Sequence, residues 1–177
     1  MSNSLYVPRE QLEKWMISRE REDERFRTFL KNSKHSDKDL DAIVQRITKE
    51  VWSDVDCQLC GHCCKGLKII VDEEDIFRLA VKFGKDSYSF RRKHVSQFKD
   101  DHSLYFTKTP CVFLAENSCT VYDDRPTACR DFPYVYKERF RTRLWGMITF
   151  TGICPVVHHI WARLKEELSF RRTIKRR

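Results

Sequence analysis

Eight cysteines constrain this 177-residue chain more than any other feature, because all of them lie between positions 57 and 154. Cys57, Cys60, Cys63 and Cys64 share one run, Cys-Gln-Leu-Cys-Gly-His-Cys-Cys-Lys-Gly, which reads as a loop, and Cys111, Cys119, Cys129 and Cys154 follow at wide intervals. Thiols at i, i+3 and i+6 in a tight turn can wrap one face of a metal centre, with the sulfurs converging and backbone amides turned inward. This is the logic of the ferredoxin run C-x2-C-x2-C-x3-C-P, and Cys154-Pro155 matches its closing C-P. At four ligands per centre, eight thiols can serve two sites. Adjacent Cys63 and Cys64 are expected to point different ways and so to serve different centres.

Other uses of the thiols suit the chain less well. Residues 1–10 have no apolar run leading to a small-residue cleavage site, and the acids from Glu10 onward do not suit an organelle transit peptide. The expectation is therefore a cytoplasmic protein, in a compartment where cysteines serve metal or redox chemistry rather than disulfides. A vicinal Cys63–Cys64 bridge would be strained. A thioredoxin-like enzyme needs a strand–CxxC–helix setting that Gly-His-Cys-Cys does not provide. The common zinc modules draw their second half from another close cysteine pair, and none occurs after Cys64. A four-thiolate zinc site assembled from hairpin and loop cysteines stays compatible with the spacing. His62 is expected to support ligands by hydrogen bonding rather than to bind metal, and His158 with His159 reads as a surface and packing pair. The five glycines form neither G-x-G-x-x-G nor G-x-x-x-x-G-K-[ST], which leaves nucleotide phosphates without an obvious cradle.

Hydrophobic periodicity organises the remainder. Residues 8–31 predict a helix with apolar clusters at Leu12, Trp15, Met16 and at Phe26, Phe29, Leu30, and the charged run between them is expected to be wet. Ser36 and Asp39 predict a capping box for a second helix carrying Leu40, Ile43, Val44, Ile47 and Val51. Further on, the pattern predicts a strand over 67–71, a helix capped by Asp72 and closed by Gly84, and a helix over 87–98. Strands follow over 103–108, 111–114 and 119–122, then one helical turn over 127–131, a strand or hairpin over 139–150, and a final helix from Pro155. The predicted fold class is α+β: a small cysteine-rich metal-binding domain with short strands and flanking helices, preceded by an N-terminal helical hairpin. The expected segments are a helical extension (1–55), the metal-binding domain (56–170) and a basic tail (171–177). No stretch approaches the ~18 consecutive apolar residues of a membrane span. The formal charge of +8 is mostly the tail, which holds five of the 34 basic residues and leaves 29 against 26 acids in residues 1–170. The tail is the segment that suggests nucleic acid or another polyanion, and the N-terminal helices suggest a protein substrate or partner.

The ordered set Cys57-x2-Cys60-Gly-x-Cys63-Cys64, Cys111-Val-Phe113-Leu114-x4-Cys119-Thr-Val-Tyr122-x2-Arg125-Pro126-x2-Cys129-Arg130-x-Phe132-Pro133 and Cys154-Pro155 resembles the CxxCxxCC cysteine-cluster (YkgJ-like) family, described as a zinc- or iron-chelating domain. The resemblance implies that all eight thiols belong to metal sites holding an iron-sulfur (4Fe-4S) cluster or zinc. Flagellin lysine methylase resembles this family and is associated with an iron-sulfur cluster, which favours iron. The alternatives it leaves are a zinc-stapled binding module and a protein-modifying enzyme of the lysine N-methylase kind. No catalytic acid or base stands out in the sequence. Arg125 and Arg130 flank Cys129; their expected role is to staple the turn, with offsetting thiolate charge or holding Asp124 or Asp131 as further uses. Tyr122, Phe132 and Pro133 are expected to shield the centre from water. The helical first 55 residues, the tail and Val156 depart from the family pattern.

Overall fold

A proline starts the first helix and a polar capping box the second in the computed structural model, which describes residues 5–170. Helix α1 runs over Arg9–Asn32 behind Pro8, whose missing N–H costs nothing at a helix start. Helix α2 spans Asp37–Trp52, and its capping box forms as predicted: the Ser36 hydroxyl accepts from the Asp39 N–H at 3.1 Å, and the Asp39 carboxylate accepts from the Ser36 N–H at 3.2 Å. Of the predicted stripe on α2, Leu40, Val44, Ile47 and Val51 are buried, and Ile43 is half-buried. Contacts then divide the chain into two compact units. One is Cys57–Phe132, and the other joins the residues before Cys57 to those after Phe132.

The Cys57–Phe132 unit begins with two single-turn helices, α3 (Cys57–Cys60) and α4 (His62–Gly66). Strand β1 (Ile70–Val71), helices α5 (Glu73–Lys82) and α6 (Ser87–His94), and strands β2 (Val95–Gln97) and β3 (Leu104–Phe106) follow. The sheet is antiparallel in the order β1-β3-β2, with Ile70 opposite Tyr105 and Val95 opposite Phe106. The helix predicted over 87–98 therefore stops at His94, where β-branched Val95 pairs into the sheet instead. A hairpin of β4 (Leu114–Ala115) and β5 (Ser118–Cys119) turns more tightly than predicted, with Glu116 in the left-handed region. A 3-10 turn at Tyr122–Asp124 and helix α7 (Thr127–Asp131) end the unit. Its core gathers Ile69, Val71, Ile76, Leu79, Phe90 and Phe106 around Phe113. Phe113 stacks on Phe83 at 5.5 Å and meets Phe106 edge-on at 5.3 Å, contacts worth about 0.5–1.5 kcal/mol each beyond burial.

In the helical unit, α8 (Leu144–Thr151) and α9 (Pro155–Glu167) join α1 and α2; α1 packs chiefly on α8 and α2 on α9. The strand or hairpin expected over 139–150 is absent, and a 3-10 turn (Phe140–Arg143) leads into α8 there. Leu144, Met147, Ile148 and Thr151 are buried at helical spacing. The alternating start of the segment is used to close helix ends. The Asp41 carboxylate accepts from the N–H groups of Arg139 and Phe140 at 2.6 and 2.8 Å. Arg141 donates to the Leu30 and His35 carbonyls and pairs with Asp37, meeting the carbonyls that the end of α1 leaves without helical partners. The middle of α1 is not uniformly wet either: Asp23, inside the charged run, is 2 % exposed. It accepts from Trp161 Nε1 at 2.9 Å and from Lys165 Nζ at 2.5 Å. No helix among the described residues is long and apolar enough to cross a membrane. The basic segment 171–177 lies outside the described residues.

His158 is a buried wall rather than a surface residue, stacked on Trp15 with ring centroids 4.7 Å apart. Burial, reinforced by His159, Arg19 and Lys165, pushes its pKa from 6.5 down to about 4. The ring is thus neutral in the fold, and between about pH 6.5 and pH 4 the unfolded chain takes up a proton that the folded chain refuses. Stability is expected to be level above about pH 7 and to fall as the pH drops through this window, with His159, also pushed down by burial, adding to the slope. Urea denaturation at a series of pH values checks this, and His158→Gln should flatten the slope; an unchanged slope would show that His158 is not its source.

Candidate metal centre

Gly61 lets the cysteine loop reverse between its two helical turns. It sits at φ +62°, and a Cβ there would stand 2.9 Å from the Asn117 carbonyl oxygen, so only glycine allows the loop to lie against the β4–β5 hairpin. Lys65 Nζ reaches Asn117 Oδ1 at 2.5 Å, and the Ser118 hydroxyl donates to the Gln58 carbonyl at 3.2 Å. The Cys111 N–H donates to the Cys64 carbonyl at 2.8 Å. Together these bonds bring Cys60, Cys63 and Cys64 to the hairpin that carries Cys111 and Cys119, while Cys111, Cys119 and Cys129 pack on the edge of the hydrophobic core.

All eight cysteines are thiols, and none is in a disulfide. Cys60 is buried, Cys63, Cys64, Cys111, Cys119 and Cys129 are half-buried, and Cys57 is exposed at the start of α3. Cys154 is buried in the helical unit, where it precedes α9. The Cys63 and Cys64 sulfurs lie 4.0 Å apart, so the expectation that these neighbours point different ways is not met. The contact with Cys63 is the largest influence on Cys64 and lowers its pKa to about 7. Burial pushes Cys60, Cys119 and, more strongly, Cys111 (to about 11) and Cys129 upward. Charge on Cys64 raises all four further, and Cys111 and Cys119 add to the rise at Cys129. Five thiols are therefore near enough to feel one another.

Backbone amides oppose that repulsion. The backbone N–H of His62 favours the Cys60 thiolate, that of Phe113 the Cys111 thiolate and that of Val121 the Cys119 thiolate, each from two residues downstream. This is the inward turn of amides predicted for the loop, and it recurs in the hairpin, where spacing alone did not reveal it. Phe113 is doubly placed, since its carbonyl also accepts from the Thr120 N–H and hydroxyl while its ring anchors the core.

Cys129 is held by a second network. Asp75, 1 % exposed, accepts from the N–H groups of Asp72 and Thr127 and pairs with Arg78 at 2.5 Å, which ties α5 to the turn carrying Cys129. Its only signal in the sequence is the Asp72-x-x-Asp75 capping pattern. Arg125 and Arg130 staple the turn as expected. Arg125 lies 3.8 Å over the Tyr122 ring and donates to the Tyr122 carbonyl at 2.6 Å, and Arg130 donates to the carbonyls of Arg125 and Asp123. Arg125 is also close enough to favour the Cys119 thiolate. The ion-pair partner of Asp124 is Lys82.

Among the described residues, no three Cys, His, Asp or Glu side chains stand where they could hold a metal ion together. The fit to a metal lies in the donor chemistry and in pairwise geometry. Two thiolates on one tetrahedral zinc at ~2.3 Å have their sulfurs ~3.8 Å apart, close to the 4.0 Å between Cys63 and Cys64. Thiols that resist ionising beside one another are also those a cation stabilises as thiolates. Closing further sulfurs on the same ion requires side-chain rotation. The family profile CxxCxxCC, described as "Putative zinc- or iron-chelating domain", matches residues 56–154, a span that includes Cys154 as well as the seven thiols of the first unit. No curated protein and no solved structure matches the chain.

Gly61→Ala tests the loop geometry. It forces a Cβ onto the Asn117 carbonyl in a left-handed conformation, and is expected to cost about 1–3 kcal/mol in chemical denaturation and to speed reaction of the thiols with a disulfide reagent. Wild-type stability and thiol reactivity in this variant would show that the loop does not depend on the close approach.

Proposed function

We propose, from the premise that the chain belongs to the CxxCxxCC family of zinc- or iron-chelating domains, that its cysteines hold an iron-sulfur centre of the [4Fe-4S] type. The observation that carries this reading is the linked group of Cys60, Cys64, Cys111, Cys119 and Cys129, three of whose thiolates are favoured by backbone amides, as in the surroundings of an iron-sulfur centre. Cys57 and Cys63 complete the thiols of this unit, and the resemblance to the family assigns Cys154 to a metal site as well. The amides of His62, Phe113 and Val121, directed at sulfurs, are contacts of the kind that tune such centres. When bound, an iron-sulfur centre supplies one-electron chemistry. The chain's own part is to gather the thiols, offset their charge with amides and Arg125, and back them with the apolar core around Phe113.

One observation favours zinc as a second reading: the 4.0 Å between the Cys63 and Cys64 sulfurs suits two ligands of a single tetrahedral ion. Quantifying metal and acid-labile sulfide on anaerobically purified protein separates the two. Iron and sulfide in equal amounts, with a brown colour, are expected; a colourless protein with stoichiometric zinc and no sulfide would replace the iron reading with the zinc one. Cys60→Ser should lose metal and lower Tm by roughly 10 °C or more, because metal-binding free energy is folding free energy in such a site. Full metal content and an unchanged Tm would remove Cys60 from the donor set.

A further inference from the structure

The helical unit contains a cavity of about 270 Å³, just below the 300–1,000 Å³ typical of sites for drug-sized ligands. It suits a molecule of amino-acid size. Trp15, Trp161 and Phe170 give it aromatic walls. Deeper in, the charges compensate one another: Lys165 pairs with Glu22 at 2.7 Å and with Asp23 at 2.5 Å.

The remaining two charges of the lining behave differently. Arg19 is half-buried and lies over the Trp15 ring at 5.6 Å, and among the described residues it has no carboxylate partner. Glu166, exposed on α9, likewise has no cation for its carboxylate among the described residues. Although they line one cavity, the two do not pair with each other. Ion pairs do form elsewhere on the helical unit, as in Arg46–Glu167 and Arg163–Glu50, both at 2.6 Å. A cation and an anion held apart around an aromatic cavity match a ligand that carries both charges on a short apolar body.

We propose that this cavity binds a small zwitterion, an α-amino acid with an aromatic or large apolar side chain. Arg19 receives its carboxylate and Glu166 its ammonium group, and the side chain lies among Trp15, Trp161 and Phe170. The site lies wholly within the helical unit and is independent of which metal the cysteines hold.

Tryptophan fluorescence of the intact protein tests this, since two indoles line the cavity. L-phenylalanine is the probe, with phenylpropionate and phenethylamine as the halves that keep only the anion or only the cation. A saturable change with a Kd of about 1 mM or tighter is expected for L-phenylalanine, with each half-ligand about tenfold weaker or more. Arg19→Gln should weaken L-phenylalanine and phenylpropionate about tenfold and leave phenethylamine unaffected, and Glu166→Gln should do the reverse. Circular dichroism confirms that each variant is folded before it is read. No saturable change up to ~10 mM L-phenylalanine, a half-ligand that binds as well as the zwitterion, or an Arg19→Gln affinity equal to wild type would each overturn the proposal.

Discussion

Repulsion among thiolates is the constraint on which the Cys57–Phe132 unit turns. Cys60, Cys111, Cys119 and Cys129 are all pushed toward the neutral thiol by burial, and the charge on Cys64 pushes them further. A chain that gathers thiols against an apolar core in this way gains little from them as protonated groups, because a buried S–H is a weak donor and a small hydrophobe. A bound cation reverses the balance by converting mutual repulsion into shared attraction. The strands of this unit are two or three residues long, shorter than sheets that are stable by themselves. Cross-linking by metal therefore suits the fold as well as the chemistry.

The surrounding bonds serve the same end at different distances. Gly61 brings the loop to the hairpin, amides of His62, Phe113 and Val121 turn toward sulfur, and buried Asp75 fixes the turn that presents Cys129. Phe113 connects the layers, since one residue supplies an amide to Cys111, a carbonyl to Thr120 and a ring to the core. In the helical unit, Arg141 closes the end of α1 and pairs with Asp37 at the start of α2. Asp23 and Lys165 join α1 to α9 through an ion pair that is nearly buried.

Features with local causes were legible in the sequence. Ser36 with Asp39, Asp72 ahead of its helix, Gly84 after it and Pro155 at the first turn of α9 each act within a few residues, and each appears where the pattern placed it. The close spacing of the cysteine run was legible as a motif, but the run folds into two helical turns where its composition predicted a loop. Features that depend on distant partners were not legible. The alternation of Arg139 to Leu144 imitated a strand, whereas its polar groups face Asp41, Asp37 and the end of α1, about a hundred residues away in sequence. Asp23 looked like one more acid in a charged run, and only Trp161 and Lys165 explain its burial. The Cys63–Cys64 contact depends on a helical turn at α4 that five residues of loop-like composition did not announce.

X-ray absorption at the metal edge of anaerobically purified protein tests the central claim most directly, because it reads the atoms bound to the metal. The thiol centre predicts a first shell of sulfur alone at ~2.3 Å, with a neighbouring iron shell if the centre is an iron-sulfur cluster. A first shell of nitrogen or oxygen, or protein that takes up neither iron nor zinc, would contradict it.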